Sequence, residues 1–156
     1  MCGISGVYNY LNKITPSKNI IKKISKLQNA RGPDGTGIWE SVCKKVCFGH
    51  NRLSIIDLSN RASQPFVCSN EIYTITFNGE IYNYKELKKE LLKNNNINFK
   101  SDSDTEVIIE SYKHWGIEFV NKLSGMFAFA IWDNLKKKVF LTRDRVGVKP
   151  YIINLI

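Results

Sequence analysis

No run in this 156-residue chain approaches the ~20 consecutive apolar residues that a membrane-spanning helix needs. Its first residues also lack the charged start and apolar stretch of a secretory leader. The cytoplasm is therefore the expected compartment, and a membrane is not an expected partner. No glycine-rich phosphate loop is present, and no internal repeat, low-complexity tract or linker. The length suits one domain with a sizeable core. Cysteines number four, Cys2, Cys43, Cys47 and Cys68, and a reducing compartment disfavours disulfides. Cys43 and Cys47, with His50 close behind, suggest a metal site. The segment reads as a strand, however, and residues four apart on a strand stand ~13 Å from each other. That is too far for one zinc ion, so no metal is expected. Acidic side chains are the scarce charge, 14 against 23 basic ones, for a net charge of +9. The excess invites a nucleic-acid reading. Yet Lys18, Lys22 and Lys26, and Lys85, Lys88, Lys89 and Lys93, fall at helical spacing on solvated faces. The run Lys136 to Lys138 sits in an expected hairpin turn. No nucleic acid is expected, while an acidic partner domain stays open.

What the chain does have is a cysteine directly behind the initiator methionine, in Met1-Cys2-Gly3-Ile4-Ser5-Gly6. Trimming Met1 would place a thiol and a free α-amine on one residue. An α-amine titrates near pH ~8 and can take the thiol's proton directly or through a water. A small residue at position 2 favours removal of the methionine.

The pattern predicts a strand over 4–10, then a helix from Thr15-Pro16 with Ile20, Ile21, Ile24 and Leu27 as its apolar stripe. A tight loop is expected over 31–37, then a hairpin of 38–40 with 45–50 and an irregular stretch over 59–65. A strand over 71–77 ends in Asn78-Gly79-Glu80. Asn83 and Glu86 read as a capping box for a helix that buries Leu87, Leu91 and Leu92. Ser103 to Glu106 reads as a second box, opening a helix through Val107, Ile108, Tyr112 and Trp115 that Gly116 ends. Asn94 to Asn96 is a polar loop. Residues 126–132 and 138–142 form a hairpin whose first arm is apolar on both faces and so covered on both. Grouped strands with two helices inserted together favour an α+β layered fold.

An amide-cleaving thiol site needs a nucleophile, a base, oxyanion donors and substrate handles. Cys2 can supply the first two. Asn78 and Gly79 make a plausible oxyanion pair, although Asn-Gly also reads as a hairpin turn. Arg52 can fork onto a carboxylate or form a surface ion pair. Glu80 and Asp104 can receive an ammonium, or be a loop charge and a first-turn helix acid. No spacing brings these residues together.

The motifs, taken in order, add more. They are Met-Cys-Gly-Ile-Ser-Gly at 1–6, Arg-Gly-Pro-Asp-Gly at 31–35, His-Asn-Arg-Leu-Ser-Ile-Ile-Asp at 50–57 and Gln-Pro at 64–65. They continue with Phe-Asn-Gly-Glu-Ile-Tyr-Asn-Tyr at 77–84 and Ser-Asp-Thr-Glu at 103–106. The last are Leu-Ser-Gly-Met-Phe-Ala-Phe-Ala-Ile-Trp-Asp at 123–133 and Arg-Asp-Arg-Val-Gly-Val-Lys-Pro at 143–150. In order and coverage the sequence resembles the class II, N-terminal-nucleophile glutamine amidotransferases, and within them the glutaminase domain of glutamine-hydrolysing asparagine synthetases. The resemblance implies a four-layer αββα sandwich in which Cys2 attacks the side-chain amide of L-glutamine with its α-amine as base. Asn78 and Gly79 would hold the oxyanion and Arg52 the α-carboxylate. Glu80 and Asp104 would hold the α-ammonium, and Leu53, Ser54, Ile55 and Ile56 would line the pocket. It gives the 143–150 motif no role.

The resemblance also implies what lies elsewhere. Residues 1–156 read as the N-terminal glutaminase domain, with its last strands and the synthetase domain beyond it. ATP and magnesium are expected only in that synthetase domain, and no cofactor in this chain. The expected partners are L-glutamine and the synthetase domain, in the same or a separate chain, with a homodimer as a further expectation. Two alternatives stay open: another acceptor for the ammonia, such as a sugar carboxylate, and a fragment that binds glutamine or a partner without turnover.

Overall fold

The computed structural model describes residues 1–11, 16–94 and 97–154. The strands are β1 (Gly3–Tyr8), β2 (Gly35–Glu40), β3 (Val46–Arg52), β4 (Phe66–Val67), β5 (Tyr73–Ile81), β6 (Gly125–Asp133) and β7 (Lys138–Arg143). The helices are α1 (Lys18–Leu27), α2 (Tyr84–Asn94) and α3 (Asp104–Trp115). Strand order is β1-β3-β2 in one sheet and β4-β5-β6-β7 in the other, and every pairing is antiparallel.

Period-2 alternation in β5 and β6 sorts two cores. Ile75, Phe77, Ile81, Phe127, Phe129 and Ile131 face α2 and α3, where they meet Leu87, Leu91, Val107, Ile108 and Tyr112. The other face of β6 turns Ala130 and Trp132 onto Val46 and Phe48 of the first sheet. Thr76 Oγ1, on that same side of β5, donates to the Gly49 carbonyl at 3.1 Å. On the far face of the first sheet lies α1, packed across β3, β1 and β2. The layers run helix, sheet, sheet, helices, the α+β sandwich that the sequence led us to expect.

Local expectations fared unevenly. The α1 helix starts at Lys18, with Ser17 as its N-cap accepting the Asn19 N–H at 3.2 Å. It does not start at Thr15-Pro16, and Thr15 lies outside the described residues. Its buried line runs through Ile21 and Ser25, whereas Ile20 is half exposed and Leu27 is 86% exposed. Leu27 is six residues from Ile21, about 240° round the helix, so it points away from the sheet. Leu92, one residue beyond buried Leu91, likewise turns to solvent.

Asn83 precedes α2 but does not cap it with its side chain. Its amide is spent on the loop before β6, accepting Ser124 N–H at 2.9 Å and donating to the Lys122 carbonyl at 2.9 Å. Ser103 does cap α3, through Thr105 N–H at 3.1 Å. Glu106 does not reach back to the Ser103 amide. Its carboxylate takes the Lys100 and Ser101 amides and the Ser101 hydroxyl, so it fixes the entry loop. The expected loop over 31–37 ends early, because Gly35 already pairs with Arg52. Cys43 sits in the turn between β2 and β3, not on a strand, while Cys47 is buried in β3. The Asn94–Asn96 loop falls in part outside the described residues. No helix among the described residues is long and apolar enough to cross a membrane.

Candidate active site

β1 pairs with β3 from Gly3 opposite Asn51. The residue before β1, Cys2, therefore comes level with the end of β3 and the loop after it. Its Sγ accepts the Leu53 N–H at 3.3 Å, and its thiol reaches the Leu53 carbonyl at 3.6 Å. Two residues of the Arg-Gly-Pro-Asp-Gly loop brace this corner. Arg31 Nε donates to the Cys2 carbonyl at 3.4 Å, and Asp34 Oδ2 accepts the Ser54 N–H at 2.8 Å.

Below Cys2 a cavity of about 110 Å³ opens between the two sheets, and the first turn of α3 closes it. All ten candidate residues named from the sequence line it: Cys2, Arg52, Leu53, Ser54, Ile55, Ile56, Asn78, Gly79, Glu80 and Asp104. Ile55 and Ile56 are exposed and stand at its mouth.

Asn78 and Gly79 are not a hairpin turn. They lie inside β5, opposite Ala128 and Phe127 of β6. Asn78 faces the first sheet, is 5% exposed, and its side-chain amide has no partner among the described residues. Backbone N–H groups alternate in direction along a strand. Those of Phe77 and Ile81, either side of Gly79, point to the edge where β4 has already ended. There Gln64 Oε1 takes the Phe77 N–H at 2.7 Å and Asp104 Oδ2 takes the Ile81 N–H at 3.0 Å. The Gly79 N–H points the same way, between these two side chains and beside the Asn78 amide. A Cβ on Gly79 would strike the Met126 carbonyl of β6, so no other residue fits there without moving a strand.

The charged residues are set around this pair. Arg52 forms no ion pair among the described residues. Its guanidinium donates to the Ser59 carbonyl at 3.0 Å and to that of Asp57, which curls the 53–59 loop around it. Two of its five N–H donors are so employed. The Asp57 carboxylate takes the Ser59 amide at 2.8 Å and the Asp102 amide at 3.1 Å, tying this loop to the entry of α3. Asp104 is only 4% exposed and has no cation beside it among the described residues. Burial pushes its carboxyl up to about 6, with the Glu80 carboxylate adding to the rise. Two carboxyl groups facing one cavity, one of them short of a counter-charge, have the chemistry to receive a cation.

Sequence reasoning gave no role to several residues that the fold brings here. His50 is 1% exposed and its Nε2 lies 3.1 Å from the Phe77 carbonyl. Only a donor can face a carbonyl, so Nε2 carries the proton and Nδ1 is a buried acceptor without a partner among the described residues. Burial pushes the ring down to about 4, so it is neutral at pH 7. Gln64 joins β5 to α3, its Nε2 donating to Thr105 Oγ1 at 3.2 Å. Met126 and Lys149 complete the wall beside Met1. His50, Gln64 and Lys149 all lie within the motifs quoted above. Those motifs were the available signal, but their spacing carries no chemistry.

Comparison with known proteins gives three findings. The family described as "glutamine amidotransferase domain" matches residues 1–155. Glutamine-hydrolysing asparagine synthetases 3 and 1 of Bacillus subtilis (strain 168) are 39% and 43% identical, over 97% and 96% of this chain. They are matched over 24% and 23% of their own length, so the chain spans about a quarter of these relatives. A solved glutamine phosphoribosylpyrophosphate amidotransferase from B. subtilis, complexed with ADP and GMP, superposes with a TM-score of 0.69 at 22% identity. That match covers 96% of this chain and 38% of the other, and it shows likeness of fold.

Proposed function

The chain belongs to the glutamine amidotransferase domain family, and we propose that it hydrolyses L-glutamine to glutamate and ammonia with Cys2 as nucleophile. The carrying observation is the convergence on one cavity of a thiol, an amide without a partner among the described residues, an edge-facing N–H, a buried carboxyl short of a cation, and an arginine.

Removal of Met1 leaves the α-amine and thiol of Cys2 side by side. The amine takes the thiol proton, and the sulfur attacks the side-chain amide carbon of glutamine. The oxygen of the tetrahedral intermediate accepts hydrogen bonds from the Asn78 side chain and the Gly79 N–H. The intermediate collapses with cleavage of the C–N bond, the leaving nitrogen takes the proton from the α-ammonium, and ammonia departs. A γ-glutamyl thioester remains. The α-amine then accepts a proton from water as the water oxygen attacks the thioester, and the C–S bond breaks. The proton returns to sulfur and glutamate leaves. Glu80 and Asp104 take the substrate α-ammonium, and the free donors of Arg52 take its α-carboxylate. The Leu53 N–H, which donates to Sγ, supports the thiolate before the attack and again as the C–S bond breaks.

The names of the relatives support a further step. The ammonia passes to a synthetase domain, in the same or a separate chain, that makes asparagine; the family resemblance, not those names, adds ATP and magnesium in that domain, and we place the reaction in the cytoplasm. The rival is a domain that binds glutamine without turnover. Mass spectrometry of the N-terminus, thiol labelling by a reactive glutamine analogue and glutamate release decide between them. Loss of Met1, one label on Cys2 and glutamate formed from glutamine are expected. A retained Met1 with no glutamate released would overturn the reading.

A further inference from the structure

The 143–150 motif has no part in the reaction above, yet it ends inside the cavity. After β7, Asp144 organises the turn. Its carboxylate accepts the amides of Phe127 at 3.2 Å, Val148 at 2.8 Å and Lys149 at 3.0 Å, and its own N–H donates to the Phe127 carbonyl at 2.7 Å. Gly147 makes the reversal with φ of +73°, a conformation that favours glycine. Lys149 is thereby brought into the cavity wall and left 2% exposed. Its ammonium donates to Met1 Sδ at 2.7 Å, its one side-chain partner among the described residues.

A buried lysine is ordinarily paired with an anion. Here its partner is a neutral thioether, on the residue whose loss the mechanism requires. That sulfur is five bonds from the Cys2 backbone nitrogen, which places the ammonium within about 9 Å of the atom that becomes the α-amine. We propose that, with Met1 gone, Lys149 is the positioning residue whose charge keeps the Cys2 α-amine unprotonated, and so able to act as the base, near neutral pH. A neighbouring cation disfavours a second ammonium. The inference rests on Cys2 being the nucleophile.

The other charges around Cys2 do not replace Lys149. Arg31 donates to the Cys2 carbonyl from an exposed position, and Arg52 is turned into the Asp57 and Ser59 carbonyls. The Asp34 and Asp57 carboxylates are engaged by backbone amides. Glu80 and Asp104 face the cavity from β5 and α3, and the neighbouring His50 is neutral at pH 7. Of the cations lining the cavity, Lys149 is the one withdrawn from water, and so the least screened by salt.

The test compares the chain, Met1 removed and verified by mass, with Lys149→Met, Lys149→Gln and Lys149→Arg. Two profiles are read against pH: alkylation of Cys2 by iodoacetamide, which needs no turnover, and kcat/KM for glutamine. The neutral variants are expected to move the α-amine limb of both profiles up by about one pH unit, with Lys149→Arg close to wild type. Unchanged profiles in the neutral variants overturn the inference. Should those variants fail to fold, NMR titration of the wild-type chain carrying 15N-cysteine decides. An α-amine titrating below the ordinary value of about 7.7 supports the inference, and one at or above it overturns the inference. Wild-type protein that releases no glutamate refutes the glutaminase instead, a separate outcome.

Discussion

The Cys2 sulfur and the Leu53 backbone hold each other from two sides. The Leu53 N–H donates to Sγ at 3.3 Å while the thiol faces the Leu53 carbonyl at 3.6 Å. The pairing of Gly3 with Asn51 sets this contact. The residue bearing the thiol stands outside the strand but is fixed by it, so its removal is expected to touch chemistry and little else.

Cys2→Ala is accordingly expected to lower glutamine hydrolysis by at least about 1,000-fold. Its thermal midpoint should stay within what ~0.5 kcal/mol would move. Glutamate release and a calorimetric scan check both. A large fall in stability would mean that the thiol is a core group.

Asn78 and Gly79 should separate cleanly. Asn78→Ala removes an amide that has no partner among the described residues, so kcat is expected to drop roughly 100- to 1,000-fold with a smaller change in KM. Gly79→Ala drives a methyl into the Met126 carbonyl. It is expected to cost stability by about 1–3 kcal/mol, read from urea unfolding.

Asp104 is expected to trade stability for binding. Its carboxyl is pushed up to about 6 by burial and by Glu80. Asp104→Asn should therefore stabilise the ligand-free protein at pH 7, by on the order of 1–3 kcal/mol, while raising KM for glutamine about tenfold or more. In wild-type protein KM is expected to climb as pH falls below about 6, where this carboxyl gains its proton. A KM that stays flat between pH 7 and 5 would remove Asp104 from the ammonium site.

His50 and Asp104 oppose each other in the pH dependence of stability. The His50 ring falls from an ordinary 6.5 to about 4. Between those values the unfolded chain holds more protons, so this contribution is full above 6.5 and lost as pH falls to about 4. The Asp104 carboxyl rises from 3.8 to about 6. There the folded chain holds the extra proton, so that contribution is present at low pH and lost as pH rises through about 6. The two slopes offset each other between pH 4 and 6. Asp104→Asn should unmask the His50 slope, steepening the loss of stability on acidification relative to wild type. Urea midpoints measured across pH 4–7 provide the check.

The elements came through where a pattern is local. The unbroken apolar run of β6 told that both its faces are covered, and Ser103 announced the start of α3. Local pattern failed where a competing partner lay far along the chain. Asn83 was drawn to Ser124 and Lys122, and Glu106 to Lys100 and Ser101. Leu27 was lost because only the line of Ile21 and Ser25 meets the sheet. Asn78-Gly79 carried a turn signal that the nine-residue pairing of β5 with β6 overrode.

By itself the sequence determined the chemical cast: a thiol directly behind Met1, the motifs that mark the family, and the apolar spacing that calls for layers of sheet and helix. It could do so because residue type and short-range periodicity are local properties. Only the tertiary structure decided that residues as distant as Cys2 and Lys149 share one cavity, that Asn78 and Gly79 face it from a strand, and that the Asp104 carboxyl sits there short of a cation. Those outcomes depend on strand register, on which face packs, and on the loss of water around a charge. None of these is a property of neighbouring residues in the chain.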